Sequence, residues 1–165
     1  NLIMDTFAAM ALASLPPESD VMGKKPRKQT DFIINRSMAW GICVVGILFF
    51  GMMFALLWYF ERVAGVSPKE LTIFFTIFVM LQWWNLFNAK TLGGCRTTFH
   101  RLLADKGLLL VLAIILVGQW LIVEFGGKMF RTTPLDLETW IWIIVGTSPV
   151  MIIGELLRAV GRIRS

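Results

Sequence analysis

The sequence predicts an all-α protein, a polytopic helical membrane bundle with about four and a half transmembrane helices. Three observations predict this class: 56% of the 165 residues are hydrophobic, only 16% are charged, and the mean hydropathy is +0.70. Soluble domains typically carry about 45–50% apolar and about 25% charged residues. The composition therefore excludes a soluble enzyme and indicates a chain that lies in a lipid bilayer.

Runs of apolar residues define the elements in order. A run of about 20 residues crosses the roughly 30 Å hydrocarbon core, because a helix rises about 1.5 Å per residue. Residues 1–15 predict the second half of a helix; they lack an initiator Met and a signal-peptide pattern, so we expect a longer protein upstream. Four further spans follow at residues 37–60, 71–89, 107–125 and 139–157.

Cationic residues concentrate in alternate connecting segments. Segments 16–36, 90–106 and 158–165 hold twelve of the sixteen Lys and Arg residues, and loops 61–70 and 126–138 hold the other four. The positive-inside rule then predicts that the three cation-rich segments are cytoplasmic and the two loops extracellular. We expect a multi-pass protein of the cell membrane with the bilayer as a partner; no basic patch interleaved with aromatic residues indicates nucleic acid.

Asn1 and Asp5 are candidate ligands of a metal ion. They are four residues apart, so both side chains project from one face of a helix. A carboxylate at membrane depth is expensive and is a functional candidate by default, and amide and carboxylate oxygens suit Ca²⁺. The alternative is a hydrated Asp5 at a helix end near the membrane interface.

Gln82 is a candidate for either a transport path or a contact between helices. It lies with Asn85 and Asn88 at positions i, i+3 and i+6 of the second full span, and Gln119 interrupts the third. Hydrogen bonds between helices explain such amides in a membrane bundle. Two cysteines and one histidine in the chain predict neither a disulfide framework nor a histidine-based metal or catalytic cluster.

Four segments of the chain resemble P-type calcium pumps of the plasma-membrane class. Residues 1–17, NLIMDTFAAMALASLPP, resemble the sixth transmembrane helix of that family, and residues 80–90, MLQWWNLFNAK, resemble its eighth. Residues 125–130, FGGKMF, look like its last extracellular loop, and residues 135–142, LDLETWIW, look like the entry to its tenth helix. The resemblance covers essentially the whole chain.

The resemblance implies that Asn1 and Asp5 match calcium ligands of the family. It also implies that ATP and Mg²⁺ act only in the full-length pump, because the acidic ligand on the fourth helix, the phosphorylated Asp and the nucleotide and actuator domains lie outside this sequence. The expected partners are the calcium ion, the bilayer and the remaining N-terminal part of the same pump, and we expect no ATP hydrolysis by this chain alone.

Two positions depart from the two-site calcium pumps of the sarcoplasmic reticulum type. Met4 falls where those pumps have a Thr ligand, and Gln82 falls where they carry an acidic residue on the eighth helix. A thioether is a poor ligand for a hard cation, so the resemblance implies a single calcium site. Two other interpretations stay open: a P-type pump for another cation, and a non-catalytic membrane scaffold subunit.

The orientation predicts which side of the membrane exposes Cys95. Because Cys95 lies in the cation-rich segment 90–106, we expect an impermeant thiol reagent to label it from the cytoplasmic side of inside-out vesicles. Cys43, within a predicted span, serves as the internal control. Labelling of Cys95 only from the opposite side would reverse the orientation of the whole chain.

Overall fold

The computed structural model describes residues 2–14, 23, 34, 36–90 and 105–154. Within these ranges the chain forms helices and no strand, which confirms the all-α class. The α-helices in chain order are α1 Leu2–Ala13, α2 Arg36–Tyr59, α3 Pro68–Lys90, α4 Lys106–Phe125, α5 Gly127–Phe130 and α6 Leu137–Thr147. A π-helix over Phe60–Ala64 continues α2, and helical residues 149–154 continue α6.

Four of the described helical segments are long and apolar enough to cross a membrane. They comprise 18 to 26 residues each. Because a helix rises about 1.5 Å per residue, even the shortest segment is nearly as long as the hydrocarbon core is thick. The helix α1 has 12 described residues, and its assignment as half of a span stays a prediction. The structure thus has the predicted bundle; its four long segments are Met38–Val63, Pro68–Lys90, Lys106–Phe125 and Leu137–Gly154.

A capping box sets the start of α3. The helix begins at Pro68, three residues before the uncharged run that predicts it. The backbone N–H of Ser67 donates to the Glu70 carboxylate at 3.2 Å, and the N–H of Lys69 donates to the Ser67 hydroxyl at 3.2 Å. This reciprocal pattern satisfies N–H groups that lack partners in the first turn, and Pro is favoured at the first helical position because it has no N–H.

Asp136 caps the start of α6. Its carboxylate accepts hydrogen bonds from the backbone N–H and the hydroxyl of Thr139, at 3.2 and 2.9 Å, and pairs with Lys69 at 3.2 Å. The Thr139 hydroxyl makes the largest contribution in lowering the pKa of Asp136 from 3.8 to about 2. Because the folded pKa is the lower one, the ionised carboxylate stabilises this cap above pH 3.8, and the contribution is lost as the pH falls toward 2.

Pro149 interrupts α6 without leaving its freed backbone carbonyl unpaired. A proline has no N–H to donate to the carbonyl four residues earlier, which here belongs to Val145. The hydroxyl of Ser148 donates to the Val145 carbonyl oxygen at 2.8 Å. The segment therefore continues as helix to residue 154, in the way that hydroxyl side chains rescue proline positions in membrane helices.

The helix α3 is the centre of the described bundle. Its side chains take part in three apolar clusters that face different neighbours. One cluster joins α3 to α1 and α4, a second joins it to α4 and α6, and a third joins it to α2 and α6. The buried members are Ala11, Val79, Leu86, Phe87, Leu108, Val111, Leu112 and Ile115 in the first, Met80, Val123, Leu135 and Ile143 in the second, and Met53, Leu81 and Val150 in the third.

Polar side chains of α3 also bond to its neighbours. Two such bonds confirm that Asn88 and Gln119 join helices, as the amide pattern predicts. Each bond satisfies a polar group that hydrocarbon would leave unpaired. The bonds are Gln119 Nε2 to Thr76 Oγ1 at 3.3 Å, Trp83 Nε1 to the Leu112 carbonyl at 3.0 Å, Trp84 Nε1 to Thr147 Oγ1 at 3.1 Å, and Asn88 Nδ2 to the Val150 carbonyl at 3.0 Å.

The contact between Asn88 and Gly154 predicts a specific loss of stability. A Cβ at Gly154 would lie 2.1 Å from Asn88 Oδ1, so Gly154→Ala has to displace the buried amide from the Val150 carbonyl. We expect a destabilisation of about 1–2 kcal/mol, the scale of a lost buried hydrogen bond. Thermal unfolding of the intact protein in detergent measures it.

Gly146→Ala is the matched control, because a Cβ at that position of the same helix meets nothing within 4 Å. A double variant, Asn88→Ala with Gly154→Ala, should cost less than the sum of the single changes, because removing the amide makes room for the methyl group. Equal stability of the Gly154→Ala and Gly146→Ala proteins would contradict the contact.

Candidate functional site

The helix α1 packs on the first half of α4. Ala8, Ala11 and Leu12 contact the cluster that contains Leu108 of α4. A Cβ at Gly107 would lie 3.5 Å from the Ser14 hydroxyl. The C-terminal end of α1 therefore lies beside the N-terminal end of α4, and small side chains on both helices allow the approach.

The position of Asp5 along α1 defines its depth. Asp5 precedes Ser14 by nine residues, which is about 13–14 Å along a helix. The neighbouring helix α4 has 20 residues and is about 30 Å long, close to the thickness of the hydrocarbon core. With Ser14 level with the start of α4, Asp5 lies level with the middle of α4.

The Asp5 side chain is exposed on the surface of the described bundle. The other acidic residues in the described ranges lie at helix ends or in connecting segments, where water or cations reach them. They are Glu61, Glu70, Asp105, Glu124, Asp136 and Glu138. Asp5, in the first turn of the described α1, differs from them in lying level with the middle of a neighbouring helix. Its role as a ligand and the alternative of a hydrated helix end both stay predictions.

Asn1 lies outside the described residues, so its position relative to Asp5 stays a prediction. Gln82 is half-buried on α3 and makes no hydrogen bond within the described part of the chain. It precedes Lys90, the last residue of α3, by eight residues, which is about 12 Å. Asp5 and Gln82 thus lie at similar depths on helices of one cluster, and no described hydrogen bond joins them.

The described residues contain no group of three or more His, Cys, Asp or Glu side chains placed to hold a metal ion. Asp5 offers two carboxylate oxygens, whereas Ca²⁺ takes six to eight oxygen ligands. What this geometry can do chemically is contribute part of a coordination shell.

Sequence reasoning missed the partnership of Lys90 and Asp105. The orientation argument counts Lys90 only as a loop cation and does not use Asp105, yet Lys90 Nζ lies 2.5 Å from Asp105 Oδ2 and the side chains are only 9% and 7% exposed. Opposite charges at the two ends of one predicted loop were the available signal. The pair links the last residue of α3 to the residue before α4.

Comparison with known proteins identifies the family. The family described as "Cation transporting ATPase, C-terminus" matches residues 1–160. The chain is 34% identical to plasma membrane calcium-transporting ATPase 2 of Oreochromis mossambicus over 87% of its length, and 34% identical to plasma membrane calcium-transporting ATPase 3 of Homo sapiens over 95%. Plasma membrane calcium-transporting ATPase mca-1 of Caenorhabditis elegans is 28% identical over 97% of the chain.

The chain spans only 13–14% of the length of these curated relatives. The matches confirm the resemblance carried by residues 1–17 and by the later segments. Together with four helices that can cross a membrane, they show that the chain belongs to the cation-transporting ATPases as their C-terminal transmembrane domain.

Proposed function

We propose that the chain is the C-terminal membrane domain of an ATP-driven pump that exports calcium, and that Asp5 and Asn1 supply oxygen ligands to its intramembrane calcium site. The observation that carries this proposal is that the Asp5 carboxylate lies level with the middle of α4, which we take as the middle of the membrane. Such a group is too costly to keep in hydrocarbon without a function. The names of the related proteins, which are calcium-transporting ATPases, support calcium as the ion.

The remaining calcium ligands come from the rest of the pump. Asp5 is exposed on a helix whose opposite end packs on α4, so its side chain is accessible to helices outside this chain. ATP and Mg²⁺ act in that N-terminal part, which is a partner of this domain along with the bilayer. Gln82, at a similar level on α3, offers a neutral amide and therefore no anionic ligand.

The proposed orientation places segments 16–36, 90–106 and 158–165 in the cytoplasm. Twelve of the sixteen cations lie there, and cytoplasmic segments of membrane proteins carry such an excess. In this orientation, α1 runs from mid-membrane toward the cytoplasm, and the ends of α3 and α4 that meet at Lys90 and Asp105 face the cytoplasm.

Asp5→Asn in the full-length pump tests the calcium site. The change keeps the size of the side chain but removes its charge, so a divalent ion binds more weakly. We expect ATP-driven calcium uptake into vesicles to fall to background and calcium-dependent phosphoenzyme to fail to form at micromolar calcium. Measuring both over a calcium series separates weaker binding from lost catalysis.

Glu138→Gln is the matched control, because Glu138 is an exposed carboxylate in the first turn of α6. We expect its uptake to equal that of the parent protein. Unchanged uptake in Asp5→Asn would show that Asp5 is not a ligand. Uptake of a different divalent cation that depends on Asp5, without calcium uptake, would favour a pump for another cation.

The proposed site holds a single ion. Met4 offers a thioether instead of a hydroxyl, and Gln82 offers a neutral amide instead of a carboxylate, so a second calcium would lack two suitable ligands. We expect equilibrium binding of radioactive calcium, normalised to phosphorylatable pump molecules, to saturate near one with a hyperbolic curve. A ratio near two with a sigmoidal curve would contradict the single site.

A further inference from the structure

We propose that the Lys90–Asp105 ion pair is a positioning element for the calcium site, because it holds the part of α4 on which the Asp5 helix rests. This inference rests on the proposed function for its calcium readout. The pair joins the end of α3 to the start of α4 through a contact of 2.5 Å. Neither residue is assigned a role by the motifs of the sequence.

The side chain of Asp105 does not cap the helix that this residue precedes. Asp105 occupies the N-cap position of α4, where an Asp side chain ordinarily accepts a hydrogen bond from the first turn. Its side chain makes no such cap bond. It instead pairs with Lys90, and both side chains are more than nine-tenths buried. The carboxylate is therefore used to bring two helix ends together rather than to cap one of them.

Loss of either partner would disturb this junction. A buried ion that loses its counter-charge is strongly destabilising, whereas exposed ion pairs contribute little. Without Asp105, the Lys90 ammonium has to move toward water or lipid headgroups, and the ends of α3 and α4 shift with respect to each other. This displacement originates at the residue that directly precedes α4.

The end of α1 rests on the residues that follow. Ser14 approaches Gly107, and Leu108, which is 1% exposed, belongs to the same cluster as Ala11. Gly107 and Leu108 are two and three residues beyond Asp105. Because α1 is a continuous helix from Leu2 to Ala13, a shift of the α4 residues that contact its end moves Asp5 as well. The ion pair thus sets the depth of the Asp5 carboxylate in the membrane.

The first experiment measures the contact between the end of α1 and the start of α4 directly, without calcium or ATP. Ser14→Cys and Gly107→Cys are introduced into the full-length pump after Cys43→Ser, Cys95→Ser and removal of cysteines elsewhere. Copper-phenanthroline oxidation should join the two new cysteines, since a Cβ at position 107 would lie 3.5 Å from the Ser14 hydroxyl oxygen. We expect Asp105→Asn and Lys90→Met to slow the cross-linking. Asp105→Glu keeps the anion, so it should cross-link at the rate of the protein that has the two cysteines alone.

The second experiment measures calcium-dependent phosphoenzyme over a calcium series in the same variants without the added cysteines. We expect Asp105→Asn to raise the half-saturating calcium roughly tenfold, the size of effect that supporting partners of metal ligands have. The maximal phosphoenzyme at saturating calcium should stay unchanged. The double variant Lys90→Met with Asp105→Asn should shift no further than either single variant, because both remove one interaction.

Asp136→Asn is the control, because it breaks the exposed pair with Lys69, whose side chains are 52% and 55% exposed. It should change neither readout. Unchanged cross-linking in Asp105→Asn, or a lower phosphoenzyme maximum with unchanged half-saturating calcium, would overturn the positioning role. If Asp105→Asn slows the cross-linking but the phosphoenzyme of the parent pump does not depend on calcium, the role of the ion pair in placing α1 is supported. The proposed calcium function is then overturned.

Discussion

Hydrocarbon offers no hydrogen-bond partners, and this constraint organises α3 and everything packed around it. The buried hydroxyls of Thr72 and Thr76 donate to carbonyls one turn earlier. Having done so, the same oxygens accept hydrogen bonds from Thr133 N–H and from Gln119. Each of these two hydroxyls thereby connects the backbone of α3 to a neighbouring segment. In water such bonds would compete with solvent, but in a membrane the alternative is an unpaired polar group.

The central position of α3 follows from these hydrogen bonds together with the apolar clusters. The helix α3 presents three differently directed faces, and its indoles and the Asn88 amide bond to α4 and α6. Gly154 must lack a side chain because the Asn88 amide occupies the space. The helix α2 is held mainly through the third cluster, and large side chains such as Trp40, which is 73% exposed, cover its remaining surface. That surface suits lipid or the rest of the pump.

Asp5 is the exception to the pairing rule, and the exception marks the candidate site. Charged residues elsewhere in the described bundle are paired or lie near its ends, whereas Asp5 is exposed level with the middle of α4, with no cation paired to it in the described ranges. Local rules are broken most often where function requires it. The buried Lys90–Asp105 pair lies at the other end of α1's contact with α4, where charge is costly unless it is paired. The Asp105 carboxylate thus joins two helix ends, whereas binding an ion is the proposed role of the Asp5 carboxylate.

The amino-acid sequence alone determined the helical class, the number of spans, the family and the choice of Asp5, because apolar run length and a carboxylate within an apolar segment are properties of a linear chain. Amide spacing also indicated contacts between helices, although it could not name Thr76 or Val150 as the partners. The starts of α3 at Pro68 and of α6 at Leu137 were also local in origin, but a search for uncharged runs discards the polar capping residues Ser67 and Asp136 that set them. Only packing could bring Lys90 to Asp105 and Ser14 to Gly107, since contacts between helix ends depend on how apolar faces fit in three dimensions, and no spacing along the chain encodes that fit.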